Sequence, residues 1–183
     1  CDKLGLIVWQ DMVNGGEPYK LWFVTYLTNV FQPLLRRLPD ARPLWGLLGR
    51  ETEAGREEYA RELEATVKAL QCHPCVGCWV PFNEGWGQFD AAGAVEAVRR
   101  LDDTRLVDEA SGWYDQGGGD VDSLHNYFYP LRVRPRSRVV ALSEYGGIAW
   151  PMPGHEPPRR TYGYGTAKSR AELTERYQKL QRD

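Results

Sequence analysis

The chain has 183 residues, with 23 Lys and Arg against 25 Asp and Glu for a formal net charge of −2, enough for one sizeable core but not for two full domains. A composition 42% hydrophobic and 26% charged excludes a disordered chain. The near-neutral charge, with no Lys/Arg block, removes the electrostatic footprint of nucleic-acid or anionic-membrane binding, so neither partner is expected.

Leu4 to Trp9 (LGLIVW) is an apolar run ending in Gln10 and Asp11, the pattern of a parallel strand buried on both faces with a polar C-terminal tip. It begins almost at once after Cys1, with neither an initiator Met nor a signal-peptide pattern, so the sequence is expected to be a piece of a longer protein. Asn14-Gly15-Gly16 predicts a turn. Leu21 to Leu38 is the most apolar stretch, but Thr25, Thr28, Asn29, Gln32, Pro33, Arg36 and Arg37 interrupt it. It cannot supply the roughly 20 apolar residues of a membrane span. A short helix near 19–31, then an irregular covering segment, is expected there, making 13–52 an insertion after the first strand.

From Thr52 to Leu70, Tyr59, Leu63, Val67 and Leu70 recur at helical spacing, and His73-Pro74 ends the helix. Cys75 to Phe82 reads as the next strand, with Asn83 and Glu84 at its tip, and Asp90 to Leu101 as a second amphipathic helix. Short strands are expected at 105–108, 122–127 and 138–143, the last running into Glu144. The proline-rich stretch after Trp150 reads as a long loop, Gly163-Tyr164-Gly165 as a turn, and Ser169 with Glu172 as the capping box of a final helix. Cys72, Cys75 and Cys78 have the spacing of a metal-ligand string. A strand beginning there would aim Cys75 and Cys78 at opposite faces, so buried packing is the expected role and no metal or cofactor is assigned. The glycine-rich runs at 117–119 and 163–165 lack the helix and Lys-Ser/Thr of a phosphate loop.

Alternating strands and helices make this an α/β pattern, with polar residues at strand ends: Asp11, Glu84, His125 and Glu144. A complete eight-stranded barrel takes about 250 residues. The expected fold is therefore a partial (β/α)8 TIM barrel of about five parallel strands with helices outside. Two strand-end carboxylates can divide the labour of glycoside hydrolysis, one protonating the leaving oxygen while the other attacks the anomeric carbon. Trp86, Trp113 and Trp150 fall in loops after strand ends, where indole rings can stack on the C–H face of a sugar. Trp9, Trp22, Trp45 and Trp79 read as core.

The run Trp79-Val80-Pro81-Phe82-Asn83-Glu84, preceded by His73-Pro74, resembles the acid/base signature of clan A retaining β-glycosidases, most closely glycoside hydrolase family 2, and Ser143-Glu144-Tyr145-Gly146 resembles that family's nucleophile strand. Cys1 to Leu6 with Trp9-Gln10-Asp11 is similar to the family's third barrel strand, Leu101 to Arg105 to the lead into its fifth, and His125-Asn126-Tyr127 to its sixth. The two Glu motifs, in the right order and 60 residues apart, carry the resemblance, which spans nearly the whole chain except about 13–52. It implies a β-galactosidase-like catalytic domain with Glu84 as acid/base, Glu144 as nucleophile held by Tyr127, Asn83 on the sugar 2-hydroxyl, and Asp11 and His125 as sugar ligands. The first two strands, the eighth and the flanking β-sandwich domains have no counterpart here and are expected to be partners in the parent chain, the fragment alone being inactive or nearly so. The alternative is a carbohydrate-binding or pseudo-enzyme module without turnover. Neither the sugar nor the compartment is specified.

Overall fold

A computed structural model of the chain describes residues 1–14, 16–130, 132–152, 154 and 161–183. The turn expected at Gly15 and most of the proline-rich loop after Trp150 (153 and 155–160) lie outside the described residues. The chain divides into two compact units, one of residues 1–124 and 135–141, the other of 125–134 and 142–183.

The first unit contains the helices that the apolar spacing predicts. α3 (Glu53–Leu70) follows two helices in the 13–52 segment, α1 (Thr28–Leu35) and the single turn α2 (Arg42–Trp45), and α1 continues directly from a π-helical turn at Trp22–Leu27. Thr52 caps α3, its hydroxyl accepting from Gly55 N at 3.3 Å, and Tyr59, Leu63 and Val67 form the buried stripe. α4 (Ala91–Leu101) is capped by Asp90 and buries Ala91, Val95 and Val98. These two faces close over Val76, Trp79 and Val107 of the strands. Each fully buried aliphatic side chain here contributes roughly 1.5–3 kcal/mol by leaving water.

The strands do not form the expected partial barrel. Among the described residues there are nine short strands in four separate sheets, not five contiguous parallel strands with helices outside. β1 (Val8–Asp11), β2 (Val76–Val80) and β4 (Leu106–Val107) make one parallel sheet in the order β1-β2-β4; β3 (Phe82–Asn83) pairs with β5 (Ala110–Ser111) in another. Pro81 separates β2 from β3 and has no N–H to donate, while Asp108 and Glu109 separate β4 from β5 at the same level. The first ladder ends with Asp108 N on Trp79 O at 2.9 Å, and the second resumes with Glu84 N on Ser111 O at 3.0 Å. β6 (Val121–Asn126) and β7 (Val139–Tyr145) form a third sheet whose strands contribute residues to each unit.

The first apolar run also departs from expectation. Asp2–Leu4 is a 3₁₀ turn closed by Gly5 in the left-handed region, so only its end becomes β1, and Leu6 and Ile7 are exposed. Trp79 is fully buried, its Nε1 donating to Asp102 at 2.9 Å, and Trp45 is half-buried, but Trp9 and Trp22, expected in the core, are 42% and 58% exposed. The Arg105 guanidinium ties the sheet base to the end of α3, donating to Asp102 and to the carbonyls of Val76, Gln71 and His73.

A second core of Phe23, Val24, Leu48, Trp113 and Tyr114 roots the 13–52 segment. Beside it lies a buried ionic network that composition did not announce. Arg36, from the end of α1, pairs with Asp122 and donates to Ser123 O at 2.8 Å, while Arg138 forks onto both oxygens of Asp115 at 2.6 Å.

In the second unit β8 (Ile148–Ala149) and β9 (Gly165–Thr166) form a two-residue parallel pair, followed by α5 (Arg170–Arg182). Ser169 accepts from Glu172 N at 3.2 Å as the capping box predicts, but the Glu172 carboxylate returns to Lys168 N at 2.8 Å rather than to the cap residue itself. No helix of the described residues is long and apolar enough to cross a membrane.

Candidate functional site

The candidate residues fall into the two units, Asp11, Asn83, Glu84, Trp86 and Trp113 in the first and His125, Tyr127, Glu144 and Trp150 in the second.

Glu84 follows β3 directly. Its backbone is in the left-handed region, φ 53°, a conformation that is uncommon for any residue but Gly and is strained. Two hydrogen bonds flank it, Glu84 N donating to Ser111 O and Trp86 N donating to Asn83 O, each at 3.0 Å, and Gly85 continues at φ 72°. A Cβ on Gly85 would lie 2.5 Å from the Tyr114 ring, so only glycine lets the chain turn this close to the second core. Glu84 is buried at 8% exposure, with Trp86 Nε1 3.4 Å from its Oε2. Trp86 is half-buried and meets Tyr19 edge to face, ring centroids 4.7 Å apart. Trp113 is 2% exposed within the second core and presents no open ring face to a sugar. Asp11 ends β1 on the surface, and Asn83 is half-buried in β3.

Glu144 is the sixth residue of β7, inside the strand rather than beyond its tip. Its side chain is 44% exposed, and the Tyr127 hydroxyl donates a hydrogen bond to Oε2. His125, with a fully buried side chain, holds Nε2 3.6 Å from Oε1, too long for a hydrogen bond. The Tyr127 ring is stacked on Tyr164, centroids 3.9 Å apart and planes 14° from parallel. Trp150 is half-buried just after β8. In the sequence, Tyr164 reads only as part of the Gly163-Tyr164-Gly165 turn. The signal that could have found it is the alternation Tyr162-Gly163-Tyr164-Gly165, in which small residues leave room for rings to pack.

The three cysteines of the run sit in different settings. Cys78 is buried in β2, and burial, helped by the neighbouring Asp108 charge, pushes its thiol up to about 12. Cys75 is half-buried ahead of that strand and Cys72 is exposed after α3.

No family model matches the chain, and no curated protein matches it.

Proposed function

We propose that this chain carries the two working carboxylates of a retaining β-glycosidase of the family 2 type, with Glu84 as general acid/base and Glu144 as nucleophile. Glu144 attacks the anomeric carbon while Glu84 gives its proton to the departing glycosidic oxygen. Glu84, now ionised, takes a proton from water, whose oxygen displaces Glu144 from the same carbon. Asn83 binds the sugar 2-hydroxyl, Asp11 and His125 bind other hydroxyls, and Trp86 and Trp150 stack on the ring.

The observation that carries this reading is the hydrogen bond from Tyr127 to Glu144. A nucleophilic carboxylate must stay ionised and hold one oxygen free for attack, and a phenol donating to the other oxygen serves both needs. For the complementary role, Glu84 is buried and held in one place by its backbone, with the Trp86 indole N–H facing its Oε2.

The test is covalent trapping. The native polypeptide, screened against aryl β-glycosides and then treated with the 2-deoxy-2-fluoro analogue of its best substrate, is expected to carry a glycosyl ester on the peptide containing Glu144. Label on another residue, or turnover with inverted configuration, would exclude the assignment. Sugar binding without turnover would identify the binding-module alternative.

A further inference from the structure

Tyr127 reaches Glu144 only if its ring is held in one orientation; it follows β6, and its chain neighbours His125 and Phe128 meet it edge-on, at centroid distances of 6.1 and 6.4 Å. The ring is half-buried outside the core clusters, and a phenol turns about its side-chain bonds unless packing fixes it. The stacked partner is Tyr164, 37 residues further along the chain. Phe128 abuts Tyr164 edge-on, centroids 5.3 Å apart and planes at 89°, so the stack is braced from the side.

Tyr164 is placed by the backbone. Its N–H donates to Gly147 O at 2.9 Å, and the β8–β9 pairing continues the clamp through Ile148 with Gly165 and Ala149 with Thr166. Gly147 lies at φ 67°, and a Cβ there would sit 2.5 Å from Tyr164 Cδ2. The ring therefore occupies the space that the missing side chain of Gly147 leaves, three residues after Glu144.

We propose that Tyr164 is a positioning residue, seated in the cradle of Gly147 and stacked on Tyr127 so that the Tyr127 hydroxyl stays on the Glu144 carboxylate. The positioning stands on these contacts alone; its catalytic consequence rests on the reading of Glu144 as nucleophile. Removing the Tyr164 ring releases Tyr127, and the carboxylate loses its donor without any group that touches it being altered. Adding a methyl group at Gly147 expels the same ring from the other side.

The experiment labels the tyrosines of the native polypeptide with ¹³C at Cζ and follows the Tyr127 resonance, assigned through Tyr127→Phe. In Tyr164→Ala the resonance is expected to move to the position it takes in Glu144→Gln, where the carboxylate acceptor is gone. Gly147→Ala is expected to move it the same way, and Tyr164→Phe, which keeps the stack, to leave it in place, with the rest of the amide spectrum unchanged in each. If Tyr164→Ala fails to fold, Tyr164→Leu, which keeps apolar bulk without a flat ring, is read in its stead. A Tyr127 resonance that stays put when the stacked ring is lost overturns the proposal. On the best aryl glycoside, kcat is expected to fall about tenfold or more in Tyr164→Ala with KM little changed, and to be restored in Tyr164→Phe. A resonance that moves while turnover does not would leave Tyr164 as the positioner of Tyr127 and remove Glu144 from the nucleophile role, so the two readings fail separately.

Discussion

Two glutamates in the same chain are held by opposite means. Glu84 is buried, sits in a left-handed backbone conformation, and is fixed by main-chain hydrogen bonds and by a glycine pressed against a core tyrosine. Glu144 is half open to solvent on a strand and is fixed by side chains, the Tyr127 hydroxyl backed by a stacked ring. The difference fits the two proposed tasks. An acid/base must give and take its proton from a fixed position, which a rigid backbone provides. A nucleophile must present one oxygen to a substrate from outside, so it needs access and a donor on its other oxygen.

The contrast can be broken at either end. The largest effect is expected for Glu144→Ala, which should lower kcat about 10⁴-fold or more, with partial rescue by azide or formate filling the vacated space. Glu84→Gln should lower hydrolysis of glycosides with poor leaving groups about 10²- to 10⁴-fold but affect activated aryl glycosides far less, because those need no proton from the enzyme. A comparison of bond-cleavage rates across leaving groups separates the two carboxylates, and equal losses on every substrate would deny Glu84 the acid role.

Two substitutions test how each carboxylate is held rather than what it does. Gly85→Ala would press a methyl group into the Tyr114 ring, and it is expected to cost activity about a hundredfold by moving Glu84, together with a lowered Tm for the first unit. Tyr127→Phe removes one charge-assisted hydrogen bond and should cost about ten- to a hundredfold in kcat without altering the melting curve appreciably. If Gly85→Ala left activity intact while Tyr127→Phe perturbed the fold, the distinction between backbone-held and side-chain-held carboxylates would be lost.

The smallest effect concerns the support beneath the first unit. Burial acts to raise the Asp102 carboxyl, but hydrogen bonds from Thr104, Trp79 and Arg105 outweigh it and hold the group well below the usual carboxylate range. A carboxylate depressed in the folded state contributes stability above its unfolded pKa, about 3.9, and that stability is lost as pH falls through the folded value. Urea denaturation between pH 6 and pH 2 is expected to show stability falling below about pH 4, with Asp102→Asn about 2 kcal/mol weaker near neutrality and less sensitive to acid. A variant with the same acid profile as the parent chain would remove Asp102 from this role.

The helices were the most legible part of the sequence. α3, α4 and α5 lie where apolar spacing and the capping residues Thr52, Asp90 and Ser169 put them, because those signals act within a few residues. The sheet was not legible to the same degree. Apolar runs at 4–9 and 75–82 read as long buried strands, but in the first the strand begins only at Val8, after a 3₁₀ turn, Gly5 and the exposed Leu6 and Ile7, and the second is cut at Pro81. Strand continuity depends on a neighbour's hydrogen bonds, and the sequence of one strand does not state where its neighbour stops. The ionic network of Arg36, Asp115, Asp122 and Arg138 was hidden for the same reason, since its members come from separate segments.

At the site, residue identities were available from the start: Glu84 after Asn83, Glu144 before Tyr145-Gly146, Tyr127 two residues beyond His125. The near-neutral charge without a Lys/Arg block was likewise readable from the start, and with it the expectation that nucleic acid is not a partner. Those are properties of composition and local order, which a sequence carries whole. What only the tertiary structure decided was the environment of each group: the left-handed turn at Glu84, the burial of Trp113 against the exposure of Trp9 and Trp22, and the placing of Tyr164 on Tyr127 across 37 residues of chain. Orientation and burial come from contacts between distant segments, and those contacts exist only once the chain has packed.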